Sequence, residues 1–567
     1  MKNAFIFLVL LPEAQPFLTS GGVGCSVARE AGIHRTSCWL GPDEHSARQD
    51  TDRLLLDSGY DTEKLESFFR ARPERSMARY SQIGLEVVGV LASLAAETTR
   101  SVLFPSLTAD IEGNGAVAVH IRRAVTRLGP LFVKVGQALA SRPDIVGTAI
   151  AAELQLLHDA MPFFPNEVAR DFIREELGAY PEDLFDSIET NPVAAASLGQ
   201  VYKGVANGRP VAVKVQRPDL LEAVGLDAYL LRSLAGTLTD ASRLAVWGGR
   251  LEVKSDLVAA IDEYASRIFE ELDYRIEARN MIRFKELYGD MPGIFVPSVL
   301  GSLSGRRVIT SEWVEGDKLV DGRARVSATD MPLLRAGIDC TLTQLLSEGF
   351  LHADPHGGNL LKTPDSKLAY LDFGLVSEIP QVVMDSLIIS AVHLMNRDYG
   401  ALALDFPGLM LMSETDLERD MGPFSVALEE ALDPVMIAFR RQLGLDGGPP
   451  GALLGGGFEQ VAFAEVVDKV FTLARSFTFS VPPYFISNVR ALGELEGLAI
   501  SADPRFNLME VLYPYVCRRF LADPSPRLRK AMMDFVVQPD GAVKWDLLEV
   551  LARDAKLLEG VPGQSPT

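Results

Sequence analysis

The chain reads as an α+β protein in two lobes, a small antiparallel sheet first and helices after it, with helical extensions at both ends. Three observations predict this. Apolar runs Gln200–Gly204 and Pro210–Val215 flank Asn207-Gly208, the dipeptide of a tight hairpin turn. Strand signals recur at 293–297 and 307–310. After Pro332 nearly everything has helical spacing, apart from 368–371.

Composition sets the outer limits. At 567 residues the chain is too long for one ordinary core, and 47% hydrophobic content marks it as globular. Asp+Glu 76 against Lys+Arg 55 leaves a net charge of −21, which on average repels nucleic acid and anionic lipid, so binding there would need a local basic patch and nucleic acid is not expected as a partner. Cys25, Cys38, Cys340 and Cys517 lack Cys-x-x-Cys spacing and imply neither zinc nor a disulfide framework. There is no internal repeat and no apolar run of 18 residues.

Taken in order, residues 1–42 read as an address. Lys2 precedes the apolar run Ala4–Leu11, and a Gly-, Ser- and Thr-rich stretch with Arg29 and Arg35 follows. That combination resembles the bipartite leader of plastids with extra membranes, against a plain mitochondrial or secretory leader. Residues 43–79, charged and weakly periodic, read as a linker with some helix. An N-terminal helical extension, 80–165, has Ile83, Val87, Leu91 and Leu94 at helical spacing and a second helix over Val117–Ala140. The next segment, 166–318, opens with a helix capped by Asn166 and closed by Gly178, and carries the sheet with inserted helices. A core follows over 319–400, a helical extension over 401–557 and a disordered tail over 558–567.

The chemistry centres on His352-Ala353-Asp354-Pro355-His356-Gly357-Gly358-Asn359, followed after twelve intervening residues by Asp372-Phe373-Gly374. An acid, an amide five residues on and a second acid eighteen after the first is the spacing of a kinase-type phosphoryl-transfer site. There Asp354 orients the attacking hydroxyl or water, while Asn359 and Asp372 hold Mg²⁺ on ATP, hard oxygens for a hard cation. A metal hydrolase built on His352, Asp354 and His356 is the poorer reading, because Pro355 spoils helical ligand spacing.

Two upstream parts are also present. Ala194, Ala195, Ala196, Ser197, Leu198, Gly199 and Val201 lie on a Gly-rich-loop pattern whose first two glycines are alanines. Lys214, thirteen residues after Val201, sits inside an apolar strand, where its charge needs a phosphate and a helix carboxylate. Glu312 and Val314 complete the nucleotide-binding set. The carboxylate is sought on one helix over Phe269–Asn280, where Glu270, Asp273 and Glu277 would share a face and Glu271 would be rotated off it.

With Lys134-Val135-Gly136-Gln137 and Glu271-Leu272-Asp273, these motifs resemble the UbiB/ADCK family of atypical kinases, associated with coenzyme Q and other prenyl-quinone lipids. The likeness is strong over residues 115–380. The segments around Arg490–Phe506 and Asp540–Trp545 resemble plastid members. The resemblance implies a protein-kinase-like fold, with Lys134 and Gln137 on an extension over the nucleotide pocket. It also implies Lys134 paired to Glu271 or Asp273, and Glu277 as partner of Lys214.

Two features shape the expected activity. Ala353 stands where a cation would receive an activation-loop phosphate, and Leu375–Pro380 runs straight into an apolar helix with no Ala-Pro-Glu segment. The expectation is an Mg-ATP-dependent kinase or ATPase, with Asp354 and Lys214 catalytic, that leaves proteins unphosphorylated in trans and serves prenyl-quinone or isoprenoid-lipid metabolism. Its expected place is a plastid membrane or plastoglobule-like lipid-droplet surface, held peripherally, with the mitochondrion as alternative. The rival reading is a nucleotide-binding pseudokinase scaffold for lipid-synthesis enzymes.

Overall fold

A computed structural model describes residues 59–103, 115–140, 146–158, 163–195, 198–243, 257–320, 325–442, 463–473, 476–479, 482–522, 525–537 and 542–555. The leader, Cys25 and Cys38, Ala196, Ser197 and the tail lie outside the described residues. Two compact units divide the chain: the first from Met1–Gly208, Val213–Tyr274 and Gly305–Val308, the second from Arg209–Ala212, Arg275–Ser304 and Ile309–Thr567.

The first unit opens with α1 (Thr62–Arg70), whose N-terminus is capped by the Asp61 carboxylate accepting from the Glu63 and Lys64 amides, both at 3.1 Å. Its Leu65, Phe68 and Phe69 are buried, so the stretch expected as linker contributes to the core. Three apolar side chains three and four apart are a helix face, which the surrounding charges concealed. Next comes α2 (Pro73–Leu103), packed against α3 (Gly115–Leu128).

The single helix expected over Val117–Ala140 is two, because Gly129 takes φ +96° and Pro130 starts α4 (Pro130–Ala140). Then come α5 (Thr148–Gln155), a 3₁₀ turn at Leu156–His158, and α6 (Asn166–Leu177), closed by Gly178 at φ +83°. Pro165, not Asn166, occupies the N-cap of α6; the Asn166 amide oxygen instead accepts from the Tyr202 hydroxyl at 3.0 Å.

After α7 (Pro181–Leu184) come strands β1 (Ser187–Ile188), β2 (Ala194–Ala195), β3 (Gly199–Ala206) and β4 (Arg209–Gln216). The β3–β4 turn places Asn207 at φ +52° and Gly208 at φ +72°, as a type I′ turn requires. Val211, Val213 and Val215 are buried at alternate positions of β4, the period of a half-buried strand. Helices α8 (Leu220–Arg243) and α9 (Leu257–Glu271) add Leu221, Val224, Ile268 and Phe269 to the core begun by α1.

The helix expected over 269–280 is broken. Leu272 and Asp273 make i−3 hydrogen bonds to Phe269 and Glu270, and the Gln216 side chain donates to the Leu272 carbonyl at 2.8 Å. The Tyr274 amide turns away to the Arg306 carbonyl (2.9 Å), and α10 (Tyr274–Tyr288) starts there. Glu270, Asp273 and Glu277 therefore share no helix face. Chain distant in sequence captured the polar groups that a continuous helix would have used.

The second unit contains β5 (Ile294–Phe295), most of β6 (Val308–Glu312), β7 (Asp317–Lys318) and α11 (Met331–Thr343), which passes into a π turn at Gln344–Glu348. The first sheet has the order β1-β3-β4-β6, with β2 also on β3. Strands β8 (Phe350–His352), β9 (Leu360–Lys362), β10 (Leu368–Tyr370) and β11 (Val376–Glu378) follow. Of these only β10 was expected, since three residues are too few to reveal a period. They form a β5-β10-β9-β7 sheet, with β5 parallel to β10, and an antiparallel β8–β11 ladder. The remaining helices are α12 (Gln381–Met395), α13 (Tyr399–Asp405), α14 (Glu414–Gln442), α15 (Phe463–Leu473), α16 (Pro483–Ala502), α17 (Met509–Ala522), α18 (Pro526–Val536) and α19 (Trp545–Ala555).

Candidate phosphoryl-transfer site

In the first unit, the Lys134 ammonium on α4 lies 2.5 Å from the Glu271 carboxylate at the end of α9, and the Glu271 side chain is only 5% exposed. A carboxylate that deep needs a cation close by. One turn on, Gln137 donates to the Leu157 carbonyl at 3.2 Å. Between them Gly136 has no room for a side chain: a Cβ there would stand 2.7 Å from Leu157 Cδ1. The Lys-x-Gly-Gln motif thus combines an ion pair, a close helix approach and a side-chain-to-backbone bond on one short helix.

Ala194 and Ala195 pair with Val201 and Gln200 as β2 on β3, so these two alanines belong to a narrow hairpin. Leu198 turns its side chain into the core. A Cβ on Gly199 would lie 2.5 Å from both the Val215 carbonyl and the Tyr274 hydroxyl, so close approach of neighbouring chain demands glycine there. Buried Gln200 clamps Phe164, accepting from its amide at 3.1 Å and donating to its carbonyl at 3.3 Å. Lys214, half-buried on β4, holds its ammonium 5.2 Å from the Tyr274 ring centroid. Asp273 is half-buried in the link after α9.

In the second unit, Glu277 is buried in the first turn of α10. Glu312, at the end of β6, accepts from the Ser298 amide at 3.2 Å, and Val314 is half-buried just beyond. The two acids and the amide are laced together by local bonds. His352, fully buried at the end of β8, accepts at Nδ1 from the Asp354 amide (3.3 Å) and donates from Nε2 to the Asp372 carbonyl (2.9 Å). Burial pushes its pKa below the ordinary imidazole value, against the opposing pull of the Leu371 and Asp372 carbonyls and of the two acids. The ring is neutral, with its proton on Nε2.

Asn359 donates from Nδ2 to the Asp354 carbonyl at 3.1 Å, which leaves its oxygen as the donor a cation would use. Asp372 adopts φ +49°, a conformation uncommon outside glycine, and its Oδ1 accepts from the Gly374 amide at 3.1 Å. Phe373 is fully buried against Phe284 and His352, ring centroids 5.0 and 5.3 Å away, and Asn280 donates to its carbonyl at 3.0 Å. Among the described residues no three His, Cys, Asp or Glu groups cluster to hold a metal. A carboxylate and an amide oxygen fit magnesium that arrives with phosphate, since that ion keeps other oxygens in its shell.

Sequence reasoning missed Arg490, whose Nη2 lies 2.6 Å from Asp354 Oδ1 across 136 residues of chain. It also missed the parts played by His352, Gln200 and Asn280. A histidine two residues before the first acid was a local signal for the first of these; for Arg490 spacing offers none.

Residues 156–405 match the model of the ABC1 atypical kinase-like domain. An uncharacterized Synechocystis protein is 40% identical over 505 residues, covering 88% of this chain and 68% of the relative. The Arabidopsis thaliana chloroplastic protein Activity of BC1 Complex Kinase 3 is 37% identical over 516 residues, 90% of this chain and 67% of the relative. An uncharacterized chloroplastic aarF domain-containing protein kinase of Arabidopsis is 35% identical over 517 residues, 90% and 68% of the two chains. Among solved structures, a Mycobacterium tuberculosis protein in complex with erythromycin is 21% identical, covering 74% of this chain and 94% of that one, with a TM-score of 0.40. With its kinase-type motifs on a small sheet and a helical second unit, and relatives from chloroplasts and cyanobacteria, the chain belongs to the ABC1 (UbiB/ADCK) family of atypical kinase-like proteins.

Proposed function

We propose that the protein binds Mg-ATP and turns it over slowly in support of prenyl-quinone or other isoprenoid-lipid metabolism in a plastid, without phosphorylating proteins in trans. The observation that carries the reading is the lacing of Asp354, Asn359 and Asp372 through His352 and backbone bonds, which orders the hard-oxygen groups of a kinase-type site. In this reading Asn359 and Asp372 hold the magnesium, which when bound neutralises charge on the phosphates. Lys214 is assigned to a phosphate, and Ala194 to Gly199, Val201, Glu312 and Val314 are assigned to nucleotide binding. Asp354 accepts the hydrogen bond of the attacking O–H at its carboxylate.

The second half of the proposal rests on how little chain follows Gly374. Val376–Glu378 is already paired in β11, and α12 begins at Gln381, so the described chain has no long segment on which to lay a peptide. The plastid assignment rests on the chloroplastic relatives. Membrane contact, where it occurs, is peripheral in this reading: no described helix is long and apolar enough to cross a bilayer.

The test compares ATP turnover of the purified protein with that of Asp372→Asn, with and without a prenyl-quinone-like lipid. The expected result is turnover that rises with lipid and is lost in the variant. Equal rates would make the protein a nucleotide-binding scaffold, and fast phosphorylation of generic protein substrates would refute the restriction.

A further inference from the structure

Asp354 is held in two ways. Its backbone is fixed by neighbours, with the amide on His352 Nδ1 and the carbonyl on Asn359 Nδ2. Its carboxylate is met from far along the chain by Arg490 on α16, Nη2 to Oδ1 at 2.6 Å. The two side chains are 17% and 21% exposed, deep enough for the pair to escape most solvent screening. Ala491, Leu492 and Leu495 beside Arg490 are buried, so the guanidinium comes from a helix seated in the core. Among the described residues the buried Arg490 Nε meets no hydrogen-bond acceptor, so the guanidinium is held through its contact with Asp354 and the packing of α16.

We infer that Arg490 is a positioning residue for the phosphoryl-transfer step: it fixes the rotation of the Asp354 carboxylate toward the acceptor O–H. The inference rests on the reading of Asp354 as the acid that orients the acceptor. Ala353, immediately before that acid, carries no charge, and the cation arrives instead through the C-terminal helices. A carboxylate held at one oxygen presents the other in a defined direction, and misplacement of a reacting group by about 1 Å costs roughly a hundredfold in rate. The opposite role is a latch that occupies Asp354 and holds the site off, and the two differ in the sign of the effect.

The experiment measures kcat, KM and Mg-ATP affinity for the full chain and for Arg490→Ala and Arg490→Lys. Expected for Arg490→Ala is a fall in kcat of about ten- to a hundredfold with Mg-ATP affinity within about twofold. Millimolar guanidinium should restore part of the rate in Arg490→Ala and none in Asp354→Asn. Arg490→Lys, which keeps the charge and loses the planar fork, should fall between, and it carries the test if the alanine variant does not fold. An unchanged or raised kcat overturns the inference and leaves the ATP reading standing. A wild-type chain whose melting temperature ignores Mg-ATP and which hydrolyses none overturns both.

Discussion

His352 and Asp372 are joined by a hydrogen bond from Nε2 to the Asp372 carbonyl at 2.9 Å, while the other nitrogen of the same ring accepts the Asp354 amide. One buried neutral imidazole thereby sets the distance between two acids eighteen residues apart in sequence. Neither acid's backbone can shift without disturbing the ring.

Replacing His352 with Phe tests that coupling. The ring packing against Phe284, Tyr370 and Phe373 survives, but the hydrogen bonds to the Asp354 amide and to the Leu371 and Asp372 carbonyls are lost. The expected cost is about 2–3 kcal/mol of stability, together with a loss of ATP turnover in samples that remain folded. Urea unfolding and steady-state kinetics on one preparation check it, and a folded variant with wild-type turnover would contradict it.

The Lys134–Glu271 pair makes a second prediction. Lys134→Met removes the ammonium 2.5 Å from a buried carboxylate and should destabilise the protein by about 3–5 kcal/mol. Lys134→Met/Glu271→Leu should recover most of the loss, because two apolar side chains incur no charge-burial penalty. Chemical denaturation of the two variants measures this, and a double variant no better than the single one would count against it.

Cys340 supplies a pH test. Burial pushes its thiol up to about 12, against 9.0 for an ordinary cysteine. Between those values the unfolded chain has lost the proton and the folded chain keeps it, so stability falls as pH rises above about 9. Cys340→Ala should flatten that part of the stability profile relative to wild type. Iodoacetamide at pH 9, mapped by mass spectrometry, should leave Cys340 unmodified until the protein is unfolded.

How much could be read from the sequence depended on how local the cause was. The hairpin at Asn207-Gly208 and the acid–amide–acid spacing carry their information within a few residues, and both describe what the fold contains. Gly129-Pro130 was equally local; the apolar periodicity on either side concealed it. The break after Glu271 was not local, since the Arg306 carbonyl and the Gln216 amide divert the backbone and lie tens of residues away. Gly199 was read as a phosphate-loop glycine, yet what excludes a side chain there is the backbone of Val215 and the hydroxyl of Tyr274. Of the candidate site, the residue types near Asp354 were legible, and the guanidinium that meets it was not.

The family match stops at residue 405, and Arg490 lies well past that limit. Trimming the protein to residues 156–405 would keep Lys214, Asp354, Asn359 and Asp372 yet discard Lys134–Gln137 on one side and the group that touches the Asp354 carboxylate on the other. The recognised domain and the contacts its site depends on here have different borders, so a minimal version should be cut by contacts and not by the domain match.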